Sequence, residues 1–201
     1  MVESGLQELI EEFRENGSKK SSEFSVEERR QGYEESSILA GEAVEIDEVK
    51  DDIIEGVKVR FYNDQSEADS PIIIYFHGGC FISGGFKTHD KQMRLLAQKC
   101  KAKVCLIDYR LAPEYKFPAA HDDCIKVVSK IAQTETQSLI LMGDSAGGNI
   151  ALSIGLSLKE NRKIKKIVLI YPMLDPYGEF SSIKENGNDY IMTSDAFSSG
   201  Y

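Results

Sequence analysis

Several things are missing from these 201 residues, and each omission narrows the field. No stretch approaches the ~20 apolar residues that a bilayer span requires. The start, Met1-Val2-Glu3-Ser4-Gly5-Leu6-Gln7-Glu8, is acidic and lacks the basic segment and apolar core of a secretory signal. Basic charge is in deficit: 24 Lys and Arg stand against 33 Asp and Glu, for a net charge of −9. That balance argues against nucleic acid or an anionic membrane as a partner. The four cysteines, Cys80, Cys100, Cys105 and Cys124, show no C-x-x-C spacing. They read as buried free thiols in a reducing cytoplasm, in preference to disulfides or a zinc site. There is no repeat and no low-complexity tract. No motif calls for a cofactor: a Gly-Lys-Ser/Thr phosphate loop and the dinucleotide glycine spacing are both absent.

What is present is ordinary for a globular protein, 41% hydrophobic and 28% charged. The length suffices for one domain that buries roughly 70% of its unfolded surface. Leu6, Leu9, Ile10 and Phe13 have helical spacing, and Asn16-Gly17 ends the run. After a polar connection from Gly17 to Ser22, Ser25 stands three before Glu28, the spacing of a capping box, and opens a second helix expected to reach Ala40. Two readings of this polar pair stay open on composition: a peripheral helical pair, or a lid over a pocket.

From Ala43 the period becomes two. Val44, Ile46 and Val49, then Val57, Val59 and Phe61, predict an antiparallel pair at a sheet edge, linked by Asp51 to Gly56. Pro71 to Phe76 is a continuous apolar run, the pattern of a strand buried on both faces. Helix-period and strand-length segments then alternate: a helix from Lys87 to Lys101, a strand at Val104 to Ile107, and a helix starting at Pro118. A strand at Leu139 to Met142, a helix from Ser145 to about Lys159, and a buried strand at Ile167 to Tyr171 follow. This alternation predicts an α/β fold with a mostly parallel sheet and helices on both faces. Ligands in such sheets bind at the carboxyl ends of the strands.

One of those ends carries Gly143-Asp144-Ser145-Ala146-Gly147, a G-x-S-x-G between an apolar strand and a small-residue helix. In that setting the pattern is a nucleophile elbow. The serine stands on a sharp, strained turn, and residues two before and two after must be small to clear it. The turn projects the Ser145 hydroxyl and aims the next helix's free N–H groups at the reaction centre.

A second carboxyl end carries His77-Gly78-Gly79-Cys80-Phe81. Glycines there let backbone N–H groups approach a bound oxygen, and with the Ala146 N–H this loop can form an oxyanion hole. Cys80 contributes its N–H whatever its side chain. His77 precedes those glycines and reads as a loop-holding residue, not as the general base. His89 reads as a surface or capping residue, and His121, beside Asp122 and Asp123, as part of a solvated helix face and not a metal ligand. The third stretch, Asp108-Tyr109-Arg110-Leu111-Ala112-Pro113-Glu114, reads as a turn knitted by charge, with Arg110 pairing either Asp108 or Glu114.

His77-Gly78-Gly79, the Asp108–Glu114 run and Gly143-Asp144-Ser145-Ala146-Gly147-Gly148-Asn149 together resemble the hormone-sensitive-lipase family of α/β-hydrolases over residues 40 to 172. The resemblance implies carboxylester hydrolysis of short- or medium-chain acyl esters, without a cofactor, and a small-molecule ester as the partner. It implies Ser145 as nucleophile, the N–H groups of Gly79, Cys80 and Ala146 as the oxyanion hole, and Gly78 as the residue that shapes it. It also assigns 1–40 to a helical cap, 41–174 to the hydrolase core and 175–201 to the start of a second cap segment. Within that last part, Tyr190 to Thr193 leads into a helix that stops at Tyr201.

Two departures stand out. Cys80 replaces the family's third glycine, and no histidine follows Ser145, although the family orders its triad as Ser, acid, His. Asp175, Asp189 and Asp195 follow, and Asp175 comes nearest to a strand end. The sequence thus reads as a truncated esterase whose last strands, acid and histidine lie beyond residue 201. Its sheet then ends on an uncovered apolar edge, open to aggregation or to pairing with a second copy. The alternative is a non-catalytic small-ligand-binding protein on the same fold; a peptidase or acyltransferase comes third.

Overall fold

The computed structural model describes residues 4–15, 23–63, 65–175 and 180–186. The chain divides into two compact units, Met1–Arg29 with Leu174–Tyr201, and Arg30–Met173. The first contains α1 (Ser4–Glu15) and α6 (Ser181–Asn186). The capping box forms as its spacing predicts: the Ser25 N–H donates to Glu28 (2.7 Å) and the Glu28 N–H donates to Ser25 Oγ (3.2 Å). The helix it opens, α2, runs Val26–Ser36 and ends in a 3₁₀ turn, Ser37–Ala40, short of one continuous helix to Ala40. The expected stop at Asn16-Gly17, the connection to Ser22, Asp189, Asp195 and the helix after Thr193 lie outside the described residues.

The second unit is built on a six-stranded sheet in the order β1-β2-β4-β3-β5-β6. Its strands are β1 (Glu48–Ile54), β2 (Val57–Asn63), β3 (Ile72–Phe76), β4 (Val104–Asp108), β5 (Leu139–Asp144) and β6 (Ile164–Ile170). β1 and β2 are antiparallel to each other, and β2 to β4; β4, β3, β5 and β6 run parallel. Crossovers between the parallel strands place α3 (Phe86–Cys100) on one face and α4 (Ala119–Thr134) and α5 (Ala146–Ser157) on the other.

The apolar runs sort themselves accordingly. Every residue of β3 is buried, as a continuous apolar run in the middle of a sheet requires. Ile74, Phe76, Cys105, Ile107, Leu139 and Leu141 pack against Cys124, Val128, Ile150 and Ile154 of α4 and α5. Ile73, Tyr75, Val104 and Leu106 pack against Met93 and Ala97 of α3.

Three expectations need correction. The first strand starts at Glu48, not Ala43, and Asp51 to Ile54 belong to it. The hairpin closes in two residues, Glu55 and Gly56, both at positive φ (50° and 82°), the geometry that matches strand twist. Acidic residues fit this strand because it is the sheet edge, where Asp51 lies opposite Arg60 and pairs with it (2.5 and 2.8 Å). β6 begins three residues early and is not buried: Ile167 and Val168 remain 38% and 37% exposed. Among the described residues no strand lies beyond it, which is the uncovered apolar edge that the sequence leads one to expect. Cys80, Cys105 and Cys124 are buried free thiols as expected, but Cys100 is exposed at the end of α3.

Core and edge isoleucines should respond differently to truncation. Ile74→Ala removes a fully buried side chain and should cost about 2–5 kcal/mol. Ile53→Ala, on a side chain 66% exposed in β1, should stay within about 0.5 kcal/mol. Urea unfolding of the two variants measures both.

Candidate active site

Three carboxyl ends meet at the top of the sheet, those of β3, β5 and β4. β5 runs into Ser145, which takes φ 52° and ψ −119°, a conformation costly for a residue with a Cβ. Neighbours hold it there. The Ser145 N–H donates to the Ile170 carbonyl (2.9 Å) at the end of β6, and the Ser145 carbonyl accepts from Met173 (3.0 Å) and Asn149 (3.2 Å).

The glycines on either side are required by contact. A Cβ on Gly147 would fall on the carbonyl of Phe76, and one on Gly143 on the carbonyl of Gly147. α5 can start directly over β3 only because both positions lack side chains. Ser145 is half-buried, and the Ala146 N–H, at the first position of α5, belongs to the group that a helix leaves without an intrahelical acceptor.

The loop after β3 turns back on itself. Gly79 has φ 122°, and Cys80 and Phe81 both occupy the left-handed region at 53° and 58°. Cys80 therefore accepts the backbone that a glycine would adopt freely, at a strain of about 1 kcal/mol. The Gly79 carbonyl accepts from Ile82 (3.0 Å) and Ser83 (2.9 Å), so the loop closes as a tight turn. The Gly78 N–H is turned away from any ligand, towards Asp144 Oδ1 (3.0 Å).

The histidines are all accounted for, and none bonds to Ser145 among the described residues. His77 is fully buried, stacked on Tyr109 with ring centroids 4.1 Å apart, its Nδ1 on the Gly78 carbonyl (2.8 Å). Burial, together with electrostatic repulsion from the neighbouring His89 ring, pulls its pKa down to about 3. A ring so enclosed holds the loop, as the Tyr109 hydroxyl does by donating to the His77 carbonyl (2.6 Å). His89 is not on the surface: it is buried, with Nε2 3.3 Å from Asp144 and Nδ1 2.7 Å from Thr88 Oγ1. Its sequence position after a glycine turn gave no hint of the carboxylate across from it. His121 is half-buried between Phe81 and Phe117, 3.3 Å from Asn149 Oδ1, and burial lowers its pKa. Asp123 is buried as well, whereas Asp122 between them is exposed, so only Asp122 has the solvated setting expected for the three. Among the described residues, no group of three or more His, Cys, Asp or Glu could hold a metal ion.

The charged turn is knitted, but by other partners. Arg110 pairs bidentately with Asp123 of α4 (2.7 and 2.8 Å), and Glu114 with Arg30 of α2 (2.7 and 2.8 Å). The Arg30 hydrogen bonds hold the Glu114 carboxyl down, to about 2. Arg30 also donates to the carbonyls of Ile82 (2.8 Å) and Ala112 (3.0 Å), joining the loop after β3 to the turn after β4. A separate cleft of about 850 Å³ opens beside these pairs, lined in part by Lys58, Asp108, Tyr115 and Lys126, and it does not include Ser145.

Residues 73–201 match the model of a family described as alpha/beta hydrolase fold. The chain belongs to the α/β-hydrolase fold family. That is the wider family to which the hormone-sensitive-lipase resemblance points. The chain is 33% identical to versiconal hemiacetal acetate esterase stcI of Emericella nidulans over 166 residues, which is 76% of this chain and 58% of that protein. It is 30% identical to ethyl acetate hydrolase of Pseudomonas putida over 183 residues, 83% of this chain and 58% of the hydrolase. The chain therefore spans 58% of the length of each of these relatives. The solved esterase of Pyrobaculum calidifontis superposes with a TM-score of 0.87 at 30% identity, covering 100% of this chain and 69% of the esterase.

The elbow contacts predict an order of tolerance. Gly147→Ala drives a Cβ into backbone and should cost about 2–3 kcal/mol. Gly155→Ala meets the tip of the Ile167 side chain, which can rotate away, and should cost less than half of that. Thermal unfolding of the two variants gives the comparison.

Proposed function

We propose that this chain forms part of a serine carboxylesterase for short- to medium-chain acyl esters, with Ser145 as nucleophile. The observation that carries the reading is the strained serine at the carboxyl end of β5, the strand beside β3 and its positive-φ turn. Ser145 Oγ adds to the ester carbonyl, and its proton passes to a base. The N–H groups of Gly79, Cys80 and Ala146 take the developing oxyanion, with Gly78 shaping their loop. Collapse expels the alcohol and leaves an acyl-serine, which water then hydrolyses.

The base is a histidine outside these 201 residues, supported by the engagement of His77, His89 and His121 elsewhere. Acetate esters in the names of two relatives support a short acyl group. In this reading 1–40 and 175–201 are cap segments around a core of 41–174. The free cysteines favour a reducing, cytoplasmic setting, and the exposed β6 edge keeps a homo-oligomer in view.

A ligand-binding protein on the same fold is favoured by one observation, the lack of any imidazole on Ser145. Hydrolysis of p-nitrophenyl acetate and butyrate by the full-length polypeptide separates the two. The esterase reading expects turnover that Ser145→Ala lowers on the order of 10⁴-fold or more. Unchanged turnover in that variant sinks it, and an ester that raises the Tm without being consumed favours the binding protein.

A further inference from the structure

The residue in front of the nucleophile does something that the elbow motif does not require. Asp144 is 5% exposed, and its Oδ1 collects donors from three elements: the Tyr75 hydroxyl of β3 (3.0 Å), the Gly78 N–H of the loop after it (3.0 Å) and His89 Nε2 of α3 (3.3 Å). Its Oδ2 lies so close to Gly78 that any Cβ there would overlap it. His89 is fixed in turn by Thr88 Oγ1 (2.7 Å), which donates to the Gly85 carbonyl (3.0 Å) at the mouth of α3.

A buried carboxylate is an expensive way to fill space, and an apolar side chain of similar volume is often no worse for stability. A bare negative charge beside a growing oxyanion also works against the reaction. Burial pushes the Asp144 carboxyl upward in pKa, yet His89 and the Tyr75 hydroxyl outweigh it and hold the group below its ordinary value. The charge is retained and compensated, and it sits one residue from Ser145 and one hydrogen bond from the loop that carries Gly79 and Cys80.

We propose that Asp144 is a positioning residue that sets the distance between the Ser145 hydroxyl and the oxyanion-binding N–H groups, with Tyr75 and His89 holding its carboxylate. The inference rests on the esterase reading for its catalytic consequence only. The mechanical link between the elbow and the loop stands on the hydrogen bonds themselves. A misplacement of about 1 Å at such a site costs roughly 10²-fold in rate, so loss of this link should appear in kcat and not in ground-state binding.

The test uses Asp144→Ala, Asp144→Asn and Tyr75→Phe in the full-length polypeptide, with p-nitrophenyl acetate kinetics and amide hydrogen exchange of the 77–82 segment. Asp144→Ala should lower kcat by about 10²-fold with KM within about threefold, and should speed exchange of 77–82 while leaving 104–108 unchanged. Asp144→Asn keeps an acceptor for the Gly78 N–H and should restore much of both. Tyr75→Phe, which removes one donor, should fall between wild type and Asp144→Asn, and it keeps the question open to measurement if the alanine variant does not fold. Exchange and kcat within twofold of wild type in Asp144→Ala overturn the proposal. So do equal losses in the alanine and asparagine variants that merely follow their Tm, or an unaltered Tyr75→Phe if the alanine variant cannot be obtained. If Ser145→Ala keeps full turnover while the exchange pattern is as described, the esterase reading fails and the link survives.

Discussion

The carbonyl of Phe76 occupies the place where residue 147 would carry a Cβ, and much of the upper face of the sheet follows from that contact. It lets α5 begin directly against the end of β3, so the strand that ends in Ser145 and the strand that ends in His77 open onto the same space. Ser145, between Gly143 and Gly147, takes φ 52° and is held there by backbone hydrogen bonds with Ile170, Met173 and Asn149. The close approach of the start of α5 to the end of β3 thus depends on the absence of side chains at Gly143 and Gly147. The energy of the strain is carried by the buried apolar residues below, where each fully buried branched side chain contributes about 1.5–3 kcal/mol.

Above that layer the turns are held by polar contacts of long sequence separation. Arg30 reaches the carbonyls of Ile82 and Ala112 and the carboxylate of Glu114; Arg110 reaches Asp123. The exposed side of the Arg30–Glu114 pair limits its worth in stability, because half-solvated ion pairs are screened. Its value lies in geometry: one guanidinium fixes two loops at once. Asp144 does the comparable work on the buried side, with three donors on a single oxygen. Rigid supports of both kinds suit the proposed reaction, which would depend on preorganised dipoles.

Much of this was legible from the chain itself. The elbow is readable because its constraint acts within five residues, and Ser25 with Glu28 is readable because a capping box is equally local. β3 is readable because five apolar residues in succession fit only a strand covered on both faces. What was not legible depends on partners far along the chain. Arg110 had two acids within four residues, yet the one it meets is 13 positions away and comes round on α4. Arg30 and Glu114 are separated by 84 positions and by every turn between them. The burial of His89 follows from the carboxylate of Asp144 across the sheet, which no local pattern announces. The Ile167–Ile170 run of β6 reads as a buried strand, yet it stays partly exposed as the last strand of the sheet among the described residues.

Ser145 is the proposed activated hydroxyl of this α/β-hydrolase-fold chain. The most direct measurement is peptide mapping by mass spectrometry after the full-length protein reacts with diethyl p-nitrophenyl phosphate, which traps an activated serine as a stable phosphoester. One phosphorylated peptide is expected, the one containing Gly143-Asp144-Ser145, and none after Ser145→Ala. Modification at another residue, or hydrolysis of p-nitrophenyl esters by protein that carries no adduct after prolonged exposure, would contradict it.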